Sequence, residues 1–347
     1  MDGDPDRLYL RPIPCERSLP GAVALAGGRI GFREVQVLRR NATSQVLPID
    51  AVTAMFPNTV DTVARLTRSR ASHAGLSYDQ PRIMGILNVT PDSFSDGGRL
   101  DCDQAAVSRA ETLIAEGADI LDIGGESTRP GAVAVPPEKE SIRVLPVIDE
   151  LIARGIDTPI SIDTRNASVA RRALSAGARL FNDVSALTHD HASIDVARDA
   201  SAICLMHAQG DPQTMQDAPH YDDVLLDVYD FLEYRIAACE MAGIARDRIV
   251  VDPGIGFGKT LAHNLALLRG LSLFHGLGCP VMLGVSRKGT IGQLSGQPEA
   301  AKRAPGSIAA GLAGLEQGVQ ILRVHDVAET VQAVRVWAAL KNNEARA

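Results

Sequence analysis

Polar side chains able to bind or to shift charge recur in this sequence just where short apolar runs stop. They are Asn88, Asp122, Asp163, Asn182, His207, Asp252, the triplet Ser286-Arg287-Lys288, and Arg323-Val324-His325. A single Asp or Asn at such a place is an ordinary cap. A ring of carboxylates, amides and cations brought to one mouth would be costly to bury unless it were used. The types divide by chemistry. Asp163, Asn182 and Asp252 suit the N–H groups of a flat heterocycle, with Asp122 as a fourth candidate. Lys288 suits a ring carbonyl or ring nitrogen, and Arg129, Arg323 and His325 suit phosphate oxygens, which guanidinium forks grip bidentately. The segment Thr90–Gly98 is polar and glycine-rich, fit to cover a site. Asn88 and Asp96 offer the hard oxygens that Mg²⁺ takes alongside substrate phosphates.

The elements that would position these residues are regular. Eight apolar runs follow Pro81: Ile83–Leu87, Ile120–Ile123, Ile160–Ile162, Leu180–Phe181, Ala202–Met206, Ile249–Val251, Val281–Leu283 and Ile321–Val324. Runs apolar at consecutive positions fit buried parallel strands. Between the first two, Ala106, Val107, Ala110, Leu113 and Ile114 form one helical face, and Gly117 stops the helix. The layout repeats internally. Gly117…Asp122, Gly177…Asn182 and Gly318…Arg323 each place a helix-stopping glycine five residues before a polar side chain. The expectation is an α/β fold: a (β/α)₈ TIM barrel over residues 81–347, with its chemistry at the C-terminal ends of the strands. Residues 1–80 read as an N-terminal appendage with no legible function. Ala22–Leu25, Gly27-Gly28 and Ile30–Leu38 suggest a short hairpin there, and Val60–Arg70 a helix.

Composition bounds the rest. The chain has 347 residues, 45% hydrophobic and 22% charged, enough for a large core. A net charge of −7 without a basic stripe argues against nucleic acid as a partner. No apolar run reaches the roughly 18 residues of a membrane span, and the first residues lack a signal-peptide pattern. Five scattered cysteines without CxxC spacing read as reduced thiols in a cytoplasmic protein. Two motifs fail on inspection. Gly258-Lys259-Thr260 ends like a phosphate-binding loop, but the glycine it requires is Pro253. Gly254, Gly256 and Gly258 lack dinucleotide-fingerprint spacing. His189 and His191 read as surface histidines.

Longer stretches point further. PRIMGILNVTPDSFSDGG (81–98), GADILDIGGESTRPGA (117–132), Ser161–Thr164, Phe181–Val184, VDPGIGFGK (251–259), Ser286–Lys288 and RVHD (323–326) closely resemble the dihydropteroate synthase family of folate biosynthesis, the sulfonamide target. The resemblance runs from about Pro81 to Ala339. It implies a Mg²⁺-dependent alkyl transfer: 6-hydroxymethyl-7,8-dihydropterin diphosphate plus 4-aminobenzoate gives 7,8-dihydropteroate and diphosphate. It implies that Asp122, Asp163, Asn182, Asp252 and Lys288 hold the pterin. Asn88, Thr128, Arg129, Arg323 and His325 would hold the diphosphate, Asp96 the metal, and Phe94, Pro130 and Ser286 the aminobenzoate. Arg129, Lys288, Arg323 and His325 would carry catalysis, and a homodimer is implied. Two positions depart from the family's usual residues, Gly289 after the Ser-Arg-Lys triplet and Ala208 after His207, which leaves sulfonamide sensitivity open. Two other readings stand beside this one: a methyltetrahydrofolate methyltransferase, which needs no diphosphate clamp, and a catalytically silent pterin-binding scaffold.

Overall fold

The computed structural model describes residues 7–90, 99–127, 132, 134–210 and 214–341. Its N-terminal segment holds four antiparallel strands, β1 (Tyr9–Glu16), β2 (Val23–Ala24), β3 (Ile30–Leu38) and β4 (Gln45–Pro48), then helices α1 (Ile49–Met55) and α2 (Val60–Thr67). Here the hairpin expected from the sequence was too small. The main partner of β3 is β1, in register Tyr9↔Leu38 through Glu16↔Ile30 with a bulge at Ile13/Pro14. Pro12 and Pro14 hid that strand. Both are tolerated because β1 is an edge strand, where a missing N–H breaks no ladder.

This small sheet docks on the rest of the chain. Tyr9 meets Tyr229 edge-on, and Ser272 Oγ donates to the Pro12 carbonyl at 2.7 Å. Arg40 pairs with Asp227 at 2.6 Å and Asp230 at 2.7 Å.

From Arg82 onward strands and helices alternate: β5 (Arg82–Asn88), α3 (Arg99–Glu116), β6 (Ile120–Gly124), α4 (Pro137–Ala153), β7 (Ile160–Asp163), α5 (Ala167–Ser175), β8 (Leu180–Asp183), α6 (Ser193–Ala197) and β9 (Ala202–Met206). Then follow α7 (Val224–Met241), β10 (Ile249–Asp252), α8 (Leu261–Arg269), β11 (Met282–Leu283), α9 (Gly289–Ser295), α10 (Ala304–Leu315), β12 (Ile321–Val324) and α11 (Val327–Lys341). Among the described residues, eight parallel strands form one sheet in the order β10-β9-β8-β7-β6-β5-β12-β11. A Val251↔Val281 bridge, with Val251 N–H on the Pro280 carbonyl at 2.9 Å, brings its two ends together. The fold is a (β/α)₈ barrel, as the eight apolar runs implied. The repeated glycines do what the pattern asked: Gly117, Gly177 and Gly318 have φ of +104°, +116° and +84°, which a side chain would resist.

The period of two along each strand sorts its side chains. One set faces the helices in the main core: Leu121 and Ile123, Ile160 and Ile162, Phe181, Ile203 and Leu205, Ile249 and Val251. The alternate set faces the barrel axis. Its lower layer is apolar and is sealed from below by Tyr78: Met84, Ile120, Leu180, Ala202, Cys204, Val250, Met282 and Ile321. Two residues further along those strands stand Ile86, Asp122, Asn182, Met206, Asp252, Gly284 and Arg323. The apolar floor thus carries a polar storey directly above it. No described helix is long and apolar enough to cross a membrane.

Candidate active site

Arg323 organises the polar storey. Its Nε donates to Asp122 Oδ2 at 2.6 Å and its Nη2 to Asp163 Oδ2 at 2.5 Å. The arginine side chain is 20% exposed, Asp122 0% and Asp163 11%, so the bridge sits inside the mouth and not on its rim. Burial works against the guanidinium's charge, but the two carboxylates outweigh it and raise its pKa. Burial likewise pushes Asp163 upward, opposed by Arg323. Asn182 Nδ2 donates to Asp122 Oδ2 at 3.2 Å.

Asp252 and Lys288 stand across the mouth. Burial raises Asp252, and Lys288 is the largest influence pulling it back. Lys288 is pushed down to about 8 by burial, against the pull of Asp252. Its Nζ donates to the Ile255 carbonyl and lies 4.4 Å from the centre of the Phe257 ring. The triplet that delivers it is locked by its middle member. Arg287 has φ of +58°, pairs with Asp326 through its guanidinium, and takes Ser307 Oγ on its N–H at 2.9 Å. Ser286 Oγ faces His325 Nδ1 at 3.0 Å and accepts the His325 N–H at 3.1 Å.

The turn after β10 shows why glycines crowd there. Asp252 Oδ1 accepts the Gly254 N–H at 2.7 Å. Gly254 has φ of +69°, and a Cβ on it would lie 1.8 Å from the His207 carbonyl oxygen. We expect Gly254→Ala to lose at least about 1–2 kcal/mol from the left-handed backbone alone. It should also displace Asp252. Thermal melting together with the affinity for a pterin, the ligand the resemblance implies, checks this; a variant with unchanged melting and affinity would contradict it.

One strand-end residue turns away from the mouth. His207 follows the inward-facing Met206, so strand alternation points it outward, between Tyr221 and Phe231. Its Nδ1 meets Lys259 Nζ at 2.8 Å, and that lysine also donates to the carbonyls of His207 and Phe257. The Gly-Lys-Thr stretch is therefore a loop tether followed by a helix cap, Thr260 Oγ1 accepting the His263 N–H at 3.2 Å. Lys259, 3% exposed, and Phe257 therefore position this loop, a role that no local sequence signal announces. Glu126 likewise has a role with no local sequence signal. It accepts the Val135 N–H at 3.0 Å and pairs with Arg165 at 3.1 Å, joining the chain at 126 and 135. His189 and His191 are exposed, as expected.

Beside Phe257 the same face opens into a cavity of about 380 Å³, lined in part by Arg165, Val184, Ser185, Ala208 and Phe231. That is the size of a small-molecule pocket. Asn88 ends β5, and its amide has no hydrogen-bond partner among the described residues. Phe94, Asp96, Thr128, Arg129 and Pro130 lie outside the described residues. No group of three or more His, Cys, Asp or Glu side chains is placed to hold a metal among the described residues.

Residues 84–325 match the model of a family described as pterin binding enzymes. A dihydropteroate synthase of Neisseria meningitidis serogroup B is 51% identical over 280 residues, 79% of this chain and 98% of that one. The chain belongs to the dihydropteroate synthase family. Its relative in Escherichia coli K12 is 47% identical over 269 residues, 78% of this chain and 95% of that one. Among solved structures, Xanthomonas albilineans dihydropteroate synthase with 4-aminobenzoic acid is 50% identical with a TM-score of 0.73, covering 79% of this chain and 98% of that one. The same enzyme with 7,8-dihydropteroate is 47% identical with a TM-score of 0.71, covering 79% and 99%. The family's barrel is thus matched nearly whole. The sheet β1–β4 lies outside the residues that the family model matches.

Proposed function

We propose that this chain joins 6-hydroxymethyl-7,8-dihydropterin diphosphate to 4-aminobenzoate, forming 7,8-dihydropteroate and diphosphate. The observation that carries the reading is the Arg323 bridge between Asp122 and Asp163, with Asn182, Asp252 and Lys288 at the same barrel mouth. In this reading Asp163, Asn182 and Asp252 accept from and donate to the heterocycle's edge, and Lys288 donates to its carbonyl or ring nitrogen. The C–O bond to diphosphate breaks first, and the weak aniline nucleophile then forms the C–N bond and gives up a proton.

Charge supports that order. Asp122, Asp163 and Asp252 against Arg323 and Lys288 leave one net negative charge when all are ionised. In a water-poor mouth this favours a pterin whose methylene is becoming cationic. Arg323, His325 and, by resemblance, Thr128 and Arg129 would face the departing diphosphate. Phe94, Pro130 and Ser286 would line the aminobenzoate side. Asn88, with its amide free of described partners, suits a Mg²⁺ that leans chiefly on substrate oxygens and water, and Asp96 would join it. When bound, the metal would supply charge to the leaving group.

The test is formation of 7,8-dihydropteroate and diphosphate by the purified protein, which we expect only when both substrates and Mg²⁺ are present. Chelation should abolish it and added Mg²⁺ restore it. Diphosphate release with no 7,8-dihydropteroate formed in the presence of 4-aminobenzoate, or full activity in chelator, would overturn the respective part.

We further place the protein in the cytoplasm, a reading its five free thiols support, and expect a homodimer. Val336 and Leu340, exposed at 58% and 80% on the late helix α11, support a covered face there. Light scattering checks the mass.

A further inference from the structure

Asp122 is the most enclosed carboxylate of the mouth, at 0% exposure, and its described partners are protein groups. Arg323 Nε takes Oδ2 at 2.6 Å, while Asn182 Nδ2 shares that oxygen at 3.2 Å and reaches Oδ1 at 3.4 Å. Register explains the enclosure. Asp122 lies opposite Ser161, whereas Asp163 lies opposite both Gly124 and Asn182, two residues nearer the mouth. Asp163 gives one oxygen to Arg323 and is the carboxylate placed to meet a ligand.

A carboxylate only accepts, so Asp122 dictates which end of the Asn182 amide faces it. The nitrogen turns down and the amide oxygen is left toward the pocket. The same carboxylate fixes the guanidinium plane through Nε, so Nη2 lands on Asp163. We propose that Asp122 is a positioning residue that does not touch substrate but sets two readers at once, the Asn182 amide for the heterocycle and the Arg323 guanidinium for the leaving group. The proposal rests on the activity proposed above and departs from the resemblance, which counts Asp122 among the pterin ligands.

Two measurements test it. The first uses the wild-type protein with ¹⁵N-labelled arginine, the Arg323 Nε–H resonance being assigned by its loss in R323K. On saturation with 6-hydroxymethylpterin the resonance should stay at low field and exchange slowly, because Asp122 keeps its partner. If the pterin took that oxygen, the resonance would move upfield or exchange away, which would overturn the proposal. The second is a double-mutant cycle on kcat/KM for the pterin diphosphate. D122N alone should cost about tenfold or more, in kcat because the clamp is misaimed and in KM because the Asn182 amide loses its fixed orientation. In an R323K background D122N should cost clearly less than it does alone, because one of the two residues it acts through is already displaced and only its hold on Asn182 is left to lose. Losses that multiply would mean that Asp122 does not act through Arg323 and would overturn the proposal. The resonance experiment needs no variant of Asp122 to fold. It also reads the Asp122–Arg323 contact even if the purified protein releases no diphosphate, so failure of the activity reading and of this one are separable.

Discussion

Replacing Arg323 by alanine should lower kcat/KM for the pterin diphosphate by about 2–4 kcal/mol, roughly 30- to 1,000-fold, the scale of losing one preorganised charge-stabilising donor. Two losses combine. The leaving diphosphate loses a cation held at 2.6 and 2.5 Å from two buried carboxylates, which fixes its direction without the side chain having to order itself during the reaction. Those carboxylates are also stranded, and removing one member of a buried ion pair leaves an uncompensated charge. Asp163, already pushed upward by burial, should rise further once Arg323 no longer opposes that push. The variant should therefore melt lower at neutral pH than wild type, with the gap narrowing as acid protonates the carboxylates. Steady-state kinetics across pH, with melting curves alongside, checks both halves. An Arg323→Ala enzyme with wild-type kcat/KM would remove the clamp from the mechanism.

The second large effect is expected at Lys288. Burial brings its pKa down to about 8 from the ordinary 10.5, with Asp252 resisting. A charged lysine donates to the heterocycle far more strongly than a neutral amine does, so the wild-type rate should fall as pH rises through about 8. Lys288→Met should be slow at every pH and should lack that limb. Its loss at neutral pH should be about 2–3 kcal/mol, the range for a charged hydrogen bond left unmade.

The sign for stability runs the other way. A depressed lysine holds fewer protons folded than unfolded between about 8 and 10.5, so the folded wild type gains stability from this group as pH rises across that window. The cost of keeping Lys288 charged is fully present below it. A pH–rate profile for wild type and Lys288→Met decides the matter: the same limb in both would assign it to another group.

Some of this was legible without coordinates. The strands were, because consecutive apolar residues have few soluble uses other than a sheet buried on both faces. Asp163, Asn182, Asp252 and Arg323 were, because each ends such a run and three of the polar ends share the glycine-plus-five layout. The long family stretches added the substrates. His207 was misjudged as part of the mouth because a strand's end was read without its parity, and one residue's shift along a strand reverses the face. Strand β1 was missed because two prolines argue against a strand unless its outer edge is free. Lys259 and Glu126 carried no local signal, their partners being a histidine 52 residues away and an arginine 39 away.

The order of residues along the chain determined which chemical groups this protein owns, how many strands would carry them and at which end, since burial pattern and turn chemistry are local properties. What only the folded barrel decided is who faces whom. Ionic attraction and strand register operate across the sheet, so the pairing of Arg323 with Asp122 and Asp163, 201 and 160 residues away, is written in no stretch of sequence. That pairing places a cation inside the pocket instead of around its edge.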